Sequence, residues 1–305
     1  ECVVDGRRHS PSMPDSDRIR VSDYQAAMAD STSNYRSADT GGLHLTDLFG
    51  LAGKTAVVTG GSRGIGYMIA AGLVSNGVTT YITARKAQAC DEAAAELDAL
   101  SDEASCVSIP ADLSSAEGVD AFVAALGEHT DHVDLLVNNA GAAWGAPLGE
   151  FPGQGFDKVM DINVKAPFLL TQALLPALER NATHEDPGRV VMIGSIDGIR
   201  VPIGDNYSYS AAKAGIHMLA RHLGAHVVSR HITVNSIAPG PFESKMMAYM
   251  LDDEASAAAV TASVPRRRVG SAQDIAGTVI FLASRAGAYT TGTVIPVDGG
   301  ISTLA

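Results

Sequence analysis

The chain has 305 residues, enough for one large α/β domain or two small ones, and 46% of them are apolar while 5% are aromatic. A formal charge of −12 with no long basic block argues against nucleic-acid binding. No run of about 18 apolar residues is available to span a bilayer, so no membrane partner is expected.

The abundance of Gly and Ala suits helices packed closely on a parallel sheet. Cys2, Cys90 and Cys106 have no pairable or metal-like spacing, which fits a reducing, cytoplasmic compartment. The histidines form no H-x-x-x-H or H-E-x-x-H arrangement, and no metal is expected. His217, His222 and His226 fall near one another on one predicted helix and read as surface or interface residues.

Residues 1–42 are polar, rich in Ser and Asp, and without periodicity. They read as a flexible arm or leader, the other reading being an arm that packs on a neighbouring subunit. From Leu43 the chain turns amphipathic and feeds an alternation of strands and helices. The predicted strands are Thr55–Thr59, Thr80–Thr83, Ser105–Pro110, Leu135–Asn138, Val190–Ile193, Thr233–Ile237 and Val294–Val297. Helical runs lie between them. This pattern predicts right-handed βαβ crossovers and one Rossmann-type doubly wound domain over 43–305, a seven-stranded parallel sheet with helices on both faces.

The first strand runs into a helix through Gly60-Gly-Ser62-Arg63-Gly64-Ile65-Gly66. Gly60 permits the tight turn, and Gly64 and Gly66 allow close backbone approach. The helix N-terminus then offers free N–H groups to a pyrophosphate, so this turn predicts dinucleotide binding. The second strand ends Thr83-Ala84-Arg85-Lys86, without the carboxylate that would hold a ribose hydroxyl. Arg85, with Arg63 as a second fork, can clamp a 2′-phosphate, which predicts NADP(H). Asp112-Leu113 follows the third strand, where an adenine would lie. Asn138-Asn139-Ala140-Gly141 follows the fourth, where small residues permit cofactor contact at the crevice.

The fifth strand ends at Gly194-Ser195, and a loop leads to Tyr209-Ser-Ala-Ala-Lys213 at the start of a helix. Positions i and i+4 share a helix face, so a phenol and an ammonium stand side by side with a serine hydroxyl arriving from a strand end. The trio suits proton exchange with a carbonyl oxygen. A nearby cation favours phenolate, and bringing a phenol from about 10 to neutrality asks roughly 4 kcal/mol of Lys213 and its surroundings. Tyr207 has Ala211 four residues on, and therefore no such partner.

Together these stretches resemble the short-chain dehydrogenase/reductase family, through Thr59–Gly66, Asn138–Gly141, Asn163 within DINV, Ser195, Tyr209-x-x-x-Lys213, Pro239-Gly240 and Val297–Gly300. The resemblance spans residues 49 to 301 in order. It implies a homotetramer or homodimer with nicotinamide-dependent carbonyl and alcohol chemistry. It makes Tyr209 the general acid/base, with Lys213 lowering its pKa and holding the nicotinamide ribose. Ser195 would steady the substrate oxygen, and Asn163 would hold a water linking Lys213 to solvent. Asn163 would otherwise read as a capping or kink residue. After Pro239-Gly240 the chain departs from the family's pattern with Pro241-Phe242-Glu243-Ser244. Ser244 can still offer a hydroxyl to the cofactor, and Phe242 would crowd or stack near the carboxamide.

Trp144-Gly145, the stretch before Ser195, IAPGPFESKM and GAYTTGTVIPVDGG are similar to NADPH-dependent bacterial 3-oxoacyl reductases, including the rhamnolipid-associated type. That implies a 3-oxoacyl thioester reduced to its 3-hydroxy product. Met246, Met247, Tyr249, Met250 and Leu251 either line an acyl groove or pack as an ordinary apolar stripe. Arg266-Arg267-Arg268 read as solvated charges or a subunit contact, with a phosphate of the acyl carrier as the other reading. General ketone, quinone, steroid or polyol reduction stays open. Enoyl reductases typically space their Tyr and Lys more widely. A non-catalytic NADP(H) sensor would usually have lost Tyr209 or Lys213.

Overall fold

The computed structural model describes residues 41–243 and 254–303. Its elements lie within the compact unit His44–Ala305. A short helix, α1 (Leu45–Phe49), precedes β1 (Thr55–Thr59), α2 (Gly64–Val74), β2 (Thr79–Thr83) and α3 (Ala87–Asp98). Then come β3 (Cys106–Ser108), α4 (Ala116–Gly127) and β4 (Leu135–Asn138). A continuous helical run follows: α5 (Gly153–Met160), a π-helical turn (Asp161–Lys165) and α6 (Ala166–Glu179). The rest is β5 (Gly188–Ile193), α7 (Tyr207–Val227), β6 (Ile232–Pro239), α8 (Glu254–Ser263), α9 (Ala272–Ala283) and β7 (Val294–Val297).

All strands are parallel in the order β3-β2-β1-β4-β5-β6-β7. The period of two along each strand sends side chains to opposite faces. Ala56, Val58, Leu135, Val137, Val191 and Ile193 enter one buried cluster with residues of α2, α3 and α9. Val57, Leu136, Val190 and Met192 enter the other with residues of α4, α6 and α7. Each fully buried Leu, Val or Phe contributes about 1.5–3 kcal/mol, so both faces of the sheet must be covered. The chain winds outward from β1 through β2 and β3, then returns to build on β4. The reversal opens a crevice at the carboxyl ends of β1 and β4, where folds of this type take their ligands.

Strand ends differ from the sequence reading where pairing decides them. The third strand is confined to Cys106–Ser108, the stretch that ladders with β2. Pro110 has no N–H to extend it. The sixth runs on to Pro239 because Ser236–Pro239 pair with β7.

At the opposite end of the strands, Arg189 is buried at 2% exposure near the start of β5. Its Nε donates to Leu282 O at 3.0 Å and its Nη2 to Ser284 O at 3.0 Å. Nη1 donates to Pro187 O, and Asp186 lies 3.4 Å from Nη2. The guanidinium therefore ties β5 to the carbonyl end of α9, where a cation is electrostatically favoured.

Candidate active site

The glycine turn is held by backbone. Gly60 adopts φ +66°, the left-handed region open to glycine, and both Gly60 and Gly61 N–H groups donate to Thr83 O of β2. A side chain at Gly66 would run into Gly60 O and Asn139 Nδ2. Arg63 stands at the N-cap of α2 without a side-chain capping bond. The first N–H groups of an 11-residue helix are thus left open toward the crevice. Ser62 is half-buried beside Arg63, and Ile65 packs on the core beneath.

Thr59 and Asn139 join this turn to β4. Thr59 Oγ1 accepts the N–H groups of Asn139 and Ala140, each at 2.9 Å. Asn139 Nδ2 donates to Thr59 O at 2.8 Å and Gly60 O at 3.3 Å. The sequence reading groups Asn139 with the cofactor contacts, and its side-chain amide braces the turn that would make them. Ala140 and Leu113 share a small crevice with Thr59 and Asn138. Arg85 is exposed and hydrogen-bonds to nothing among the described residues. Its charge reaches Asp112, whose carboxyl is held below its ordinary value chiefly by a hydrogen bond from Ser114.

Ser195, Tyr209 and Lys213 meet at the end of β5. Ser195 begins a 3-10 turn over Ile196–Gly198, and its Oγ accepts Asp197 N–H at 3.1 Å. That leaves the hydroxyl proton free to donate. Lys213, 5% exposed, donates from Nζ to Ile193 O at 2.8 Å and lies 5.4 Å from the centre of the Tyr209 ring. Burial pushes the ammonium down to about 8.

The phenol departs from the expectation of a lowered pKa. Burial pushes Tyr209 up to about 12; a Ser195 hydrogen bond opposes the shift and the Asp197 carboxylate adds to it. Desolvation is the largest contribution, and Lys213, itself brought down to about 8 by burial, carries no charge at the pH where the phenol would titrate. The chain thus holds Tyr209 as an acid, the form that gives a proton away. Tyr207, by contrast, is exposed, donates to Asp205 Oδ1 at 2.8 Å and rests on Phe151.

Asn163 lies in the π-helical turn between α5 and α6 and is 2% exposed. Its Nδ2 donates to Ala142 O at 2.8 Å and Val159 O at 2.9 Å. Its Oδ1 is buried, directed at Gly141, and has no hydrogen-bond partner among the described residues. The inserted residue of a π-turn re-aims a side chain, which is why such turns recur at functional sites.

Several expectations change here. His217 is 6% exposed, not a surface residue. Four residues after Lys213, it comes under the Ser195 turn, where its Nε2 accepts Ser195 N–H at 3.4 Å. Its ring occupies the space that a side chain at Gly194 would fill. Phe242 is 2% exposed, and its ring packs on Gly270 instead of presenting a face to a carboxamide. Pro239 pairs with Val297, and Gly240 N–H donates to Val297 O at 3.0 Å, closing the crevice beyond Ser195. Arg268 grips Asp274 at 2.6 and 2.8 Å, and Arg267 donates to Ala262 O at 2.6 Å, so both charges are engaged within the chain. Ser244, Met246, Met247, Tyr249, Met250 and Leu251 lie outside the described residues.

The donor set fits a nicotinamide dinucleotide. The open helix end and glycine turn suit a pyrophosphate, Arg85 a ribose phosphate, and the unpartnered Asn163 Oδ1 an added donor. Among the described residues there is no cluster suited to a metal and no helix long and apolar enough to cross a membrane.

Comparison with known proteins agrees. A family model described as "Enoyl-(Acyl carrier protein) reductase" matches residues 60–302. The rhamnolipids biosynthesis 3-oxoacyl-[acyl-carrier-protein] reductase of Pseudomonas aeruginosa is 48% identical over 252 residues, covering 83% of this chain and 97% of that protein. A 5-keto-D-gluconate 5-reductase of Escherichia coli is 32% identical over 259 residues, covering 84% and 98%. Among solved structures, the Pseudomonas aeruginosa RhlG/NADP active-site complex superposes with a TM-score of 0.81 at 47% identity, covering 84% of this chain and 98% of that one. With the parallel seven-stranded sheet and the grouping of Ser195, Tyr209 and Lys213, these likenesses place the chain in the short-chain dehydrogenase/reductase family of oxidoreductases.

Proposed function

We propose that the protein is an NADPH-dependent reductase that converts a 3-oxoacyl thioester to its 3-hydroxyacyl product. The observation that carries this is the Ser195–Tyr209–Lys213 grouping at the end of β5, joined to the 48% identity with a 3-oxoacyl reductase. When bound, NADPH supplies the hydride. Ser195 Oγ–H donates to the substrate carbonyl oxygen and orients it. Tyr209 passes its phenolic proton to that oxygen as the carbon becomes a secondary alcohol, and Lys213 supports the phenolate left behind. Asn163 Oδ1 would accept a hydrogen bond from a water that links Lys213 to solvent, the route by which a proton returns to the phenol. Arg85 and Arg63 hold the ribose phosphate; the open end of α2 and residues Gly60–Gly66 hold the pyrophosphate. Asp112, Leu113, Ala140, Gly141, Pro239 and Gly240 complete the cofactor's surroundings.

We place the enzyme in the cytoplasm as a homotetramer or homodimer. The free buried Cys90 and Cys106 fit a reducing compartment. A groove of about 360 Å³ lined by Met160, Val164, Phe168 and Leu219, with the paired Asp161 and Lys165 at its side, gives helices α5–α7 a face suited to another copy. We keep residues 1–42 as an arm outside the catalytic domain.

NADPH oxidation on acetoacetyl-CoA and a longer 3-oxoacyl thioester, beside ketones, a keto-sugar acid and a 2-enoyl thioester, tests the substrate. Preference for 3-oxo thioesters that rises with chain length is expected. Turnover of the keto-sugar acid alone moves the protein toward the polyol reductases it also resembles. Reduction of the enoyl thioester would overturn the assignment.

A further inference from the structure

Asp197 is a half-buried carboxylate two residues after Ser195, and the chemistry above does not use it. Four hydrogen bonds converge on it and its partner, Asn206. Asp197 N–H donates to Ser195 Oγ at 3.1 Å. Asn206 Nδ2 donates to Asp197 Oδ2 at 3.2 Å across the loop. Asn206 O in turn accepts the N–H groups of Tyr209 at 2.9 Å and Ser210 at 3.1 Å. Asn206 is the N-cap of α7, yet its side chain does not cap the helix. Its amide is turned away to Asp197, and its Oδ1 is left buried without a partner. A side chain that forgoes its capping bond is held by something else, and here that is the carboxylate.

Resting on the carbonyl-reductase reading, we propose that Asp197 is a positioning residue: with Asn206 it closes the loop between Ser195 and Tyr209 and fixes the distance between their hydroxyls. Besides the clasp, the Ser195 N–H bond to His217 and the Lys213 bond to Ile193 O tie the strand end to α7, while the loop between Ser195 and Tyr209 is exposed at Ile199, Val201 and Ile203. The clasp also brings a negative charge to the phenol and favours its protonated form. The other charged or titratable groups near the pair are Arg200 on the same loop, and Lys213 and His217 on α7.

The test uses the full chain, with acetoacetyl-CoA or whichever carbonyl the wild type reduces. Asp197→Ala and Asn206→Ala are each expected to lower kcat about 10–100-fold, as misplaced catalytic groups do. NADPH binding, read by its fluorescence, should stay within about twofold. The reversed pair Asp197→Asn with Asn206→Asp restores a donor and an acceptor and should recover most of the activity. Asp197→Asn alone keeps an acceptor for Asn206 and removes the charge. It should move the alkaline limb of the pH–rate profile to lower pH, a change that a merely structural role would not cause. Hydrogen exchange over residues 195–206 should rise in Asp197→Ala and return in the reversed pair. Full activity in both alanine variants, or losses that the reversed pair does not rescue, would overturn the proposal. If the wild type binds NADPH but reduces no carbonyl while exchange still follows the clasp, the functional reading fails and the clasp stands.

Discussion

Two buried cations sit at opposite ends of β5. Arg189, near its start, makes hydrogen bonds to Leu282 O, Ser284 O and Pro187 O and faces Asp186. Lys213, at its end, has one carbonyl, Ile193 O. Burial lowers the pKa of both, but a guanidinium stays charged regardless, whereas Lys213 comes down to about 8. The difference separates structure from chemistry. A buried charge whose donors are all engaged locks two elements together. One left with open donors beside a phenol can respond when charge develops there.

The sharpest way to break the comparison is at the phenol itself. Tyr209→Phe removes the proton and leaves the ring packing. Turnover should fall by about 10²–10⁴-fold while NADPH fluorescence still reports binding. Undiminished turnover would remove Tyr209 from the mechanism and leave Lys213 a structural cation like Arg189.

The two cations should then fail in different assays. Lys213→Met is expected to lower kcat about 100-fold with a modest change in Tm. Arg189→Met leaves the carbonyls of Pro187, Leu282 and Ser284 without their donor, a loss of about 3–5 kcal/mol. The melting temperature should drop by roughly 10 °C, with kcat per folded molecule unchanged at low temperature. If Arg189→Met lowers kcat and spares Tm, the division between the ends of the sheet is wrong.

A third cation extends the comparison to the surface. Arg85 is exposed and without a hydrogen-bond partner among the described residues. Arg85→Ala should weaken NADPH binding by about 10–100-fold, the worth of a charged hydrogen bond or two, and NADH much less. Equal losses for the two cofactors would place the phosphate clamp elsewhere.

What the sequence makes legible is what short range decides. The turn from Thr59 to Gly66 and the Tyr209–Lys213 pair follow from backbone freedom and helical periodicity, and both stand in the structure as read. Asn163 is different. Its aim depends on a π-turn, a change of helical register that no local pattern in DINV announces. The direction of the phenol's shift is not legible in the spacing, because desolvation is a property of the packed site. Phe242 was placed by its neighbour Gly240, yet its ring is directed by Gly270, far along the chain. Arg189 carries no signal of burial, since two of its carbonyl partners, Leu282 and Ser284, lie over 90 residues away.

His217 joins the buried groups and has the smallest expected effect at neutral pH. Burial first, then the charge of Lys213, pushes its pKa down to about 4, and a Gly198 backbone hydrogen bond opposes them. The folded value lies below the unfolded one, near 6.5, so between these pH values the unfolded chain binds more protons. The stability that neutral His217 supports is therefore complete above pH 6.5 and lost as pH falls toward 4, to a total of roughly 3 kcal/mol. His217→Gln keeps an acceptor for Ser195 N–H but does not titrate. Its melting temperature should match the wild type at pH 7 and decline less steeply between pH 6.5 and 4. Parallel declines would mean that the proton enters elsewhere, and that the imidazole under the serine turn serves as packing alone.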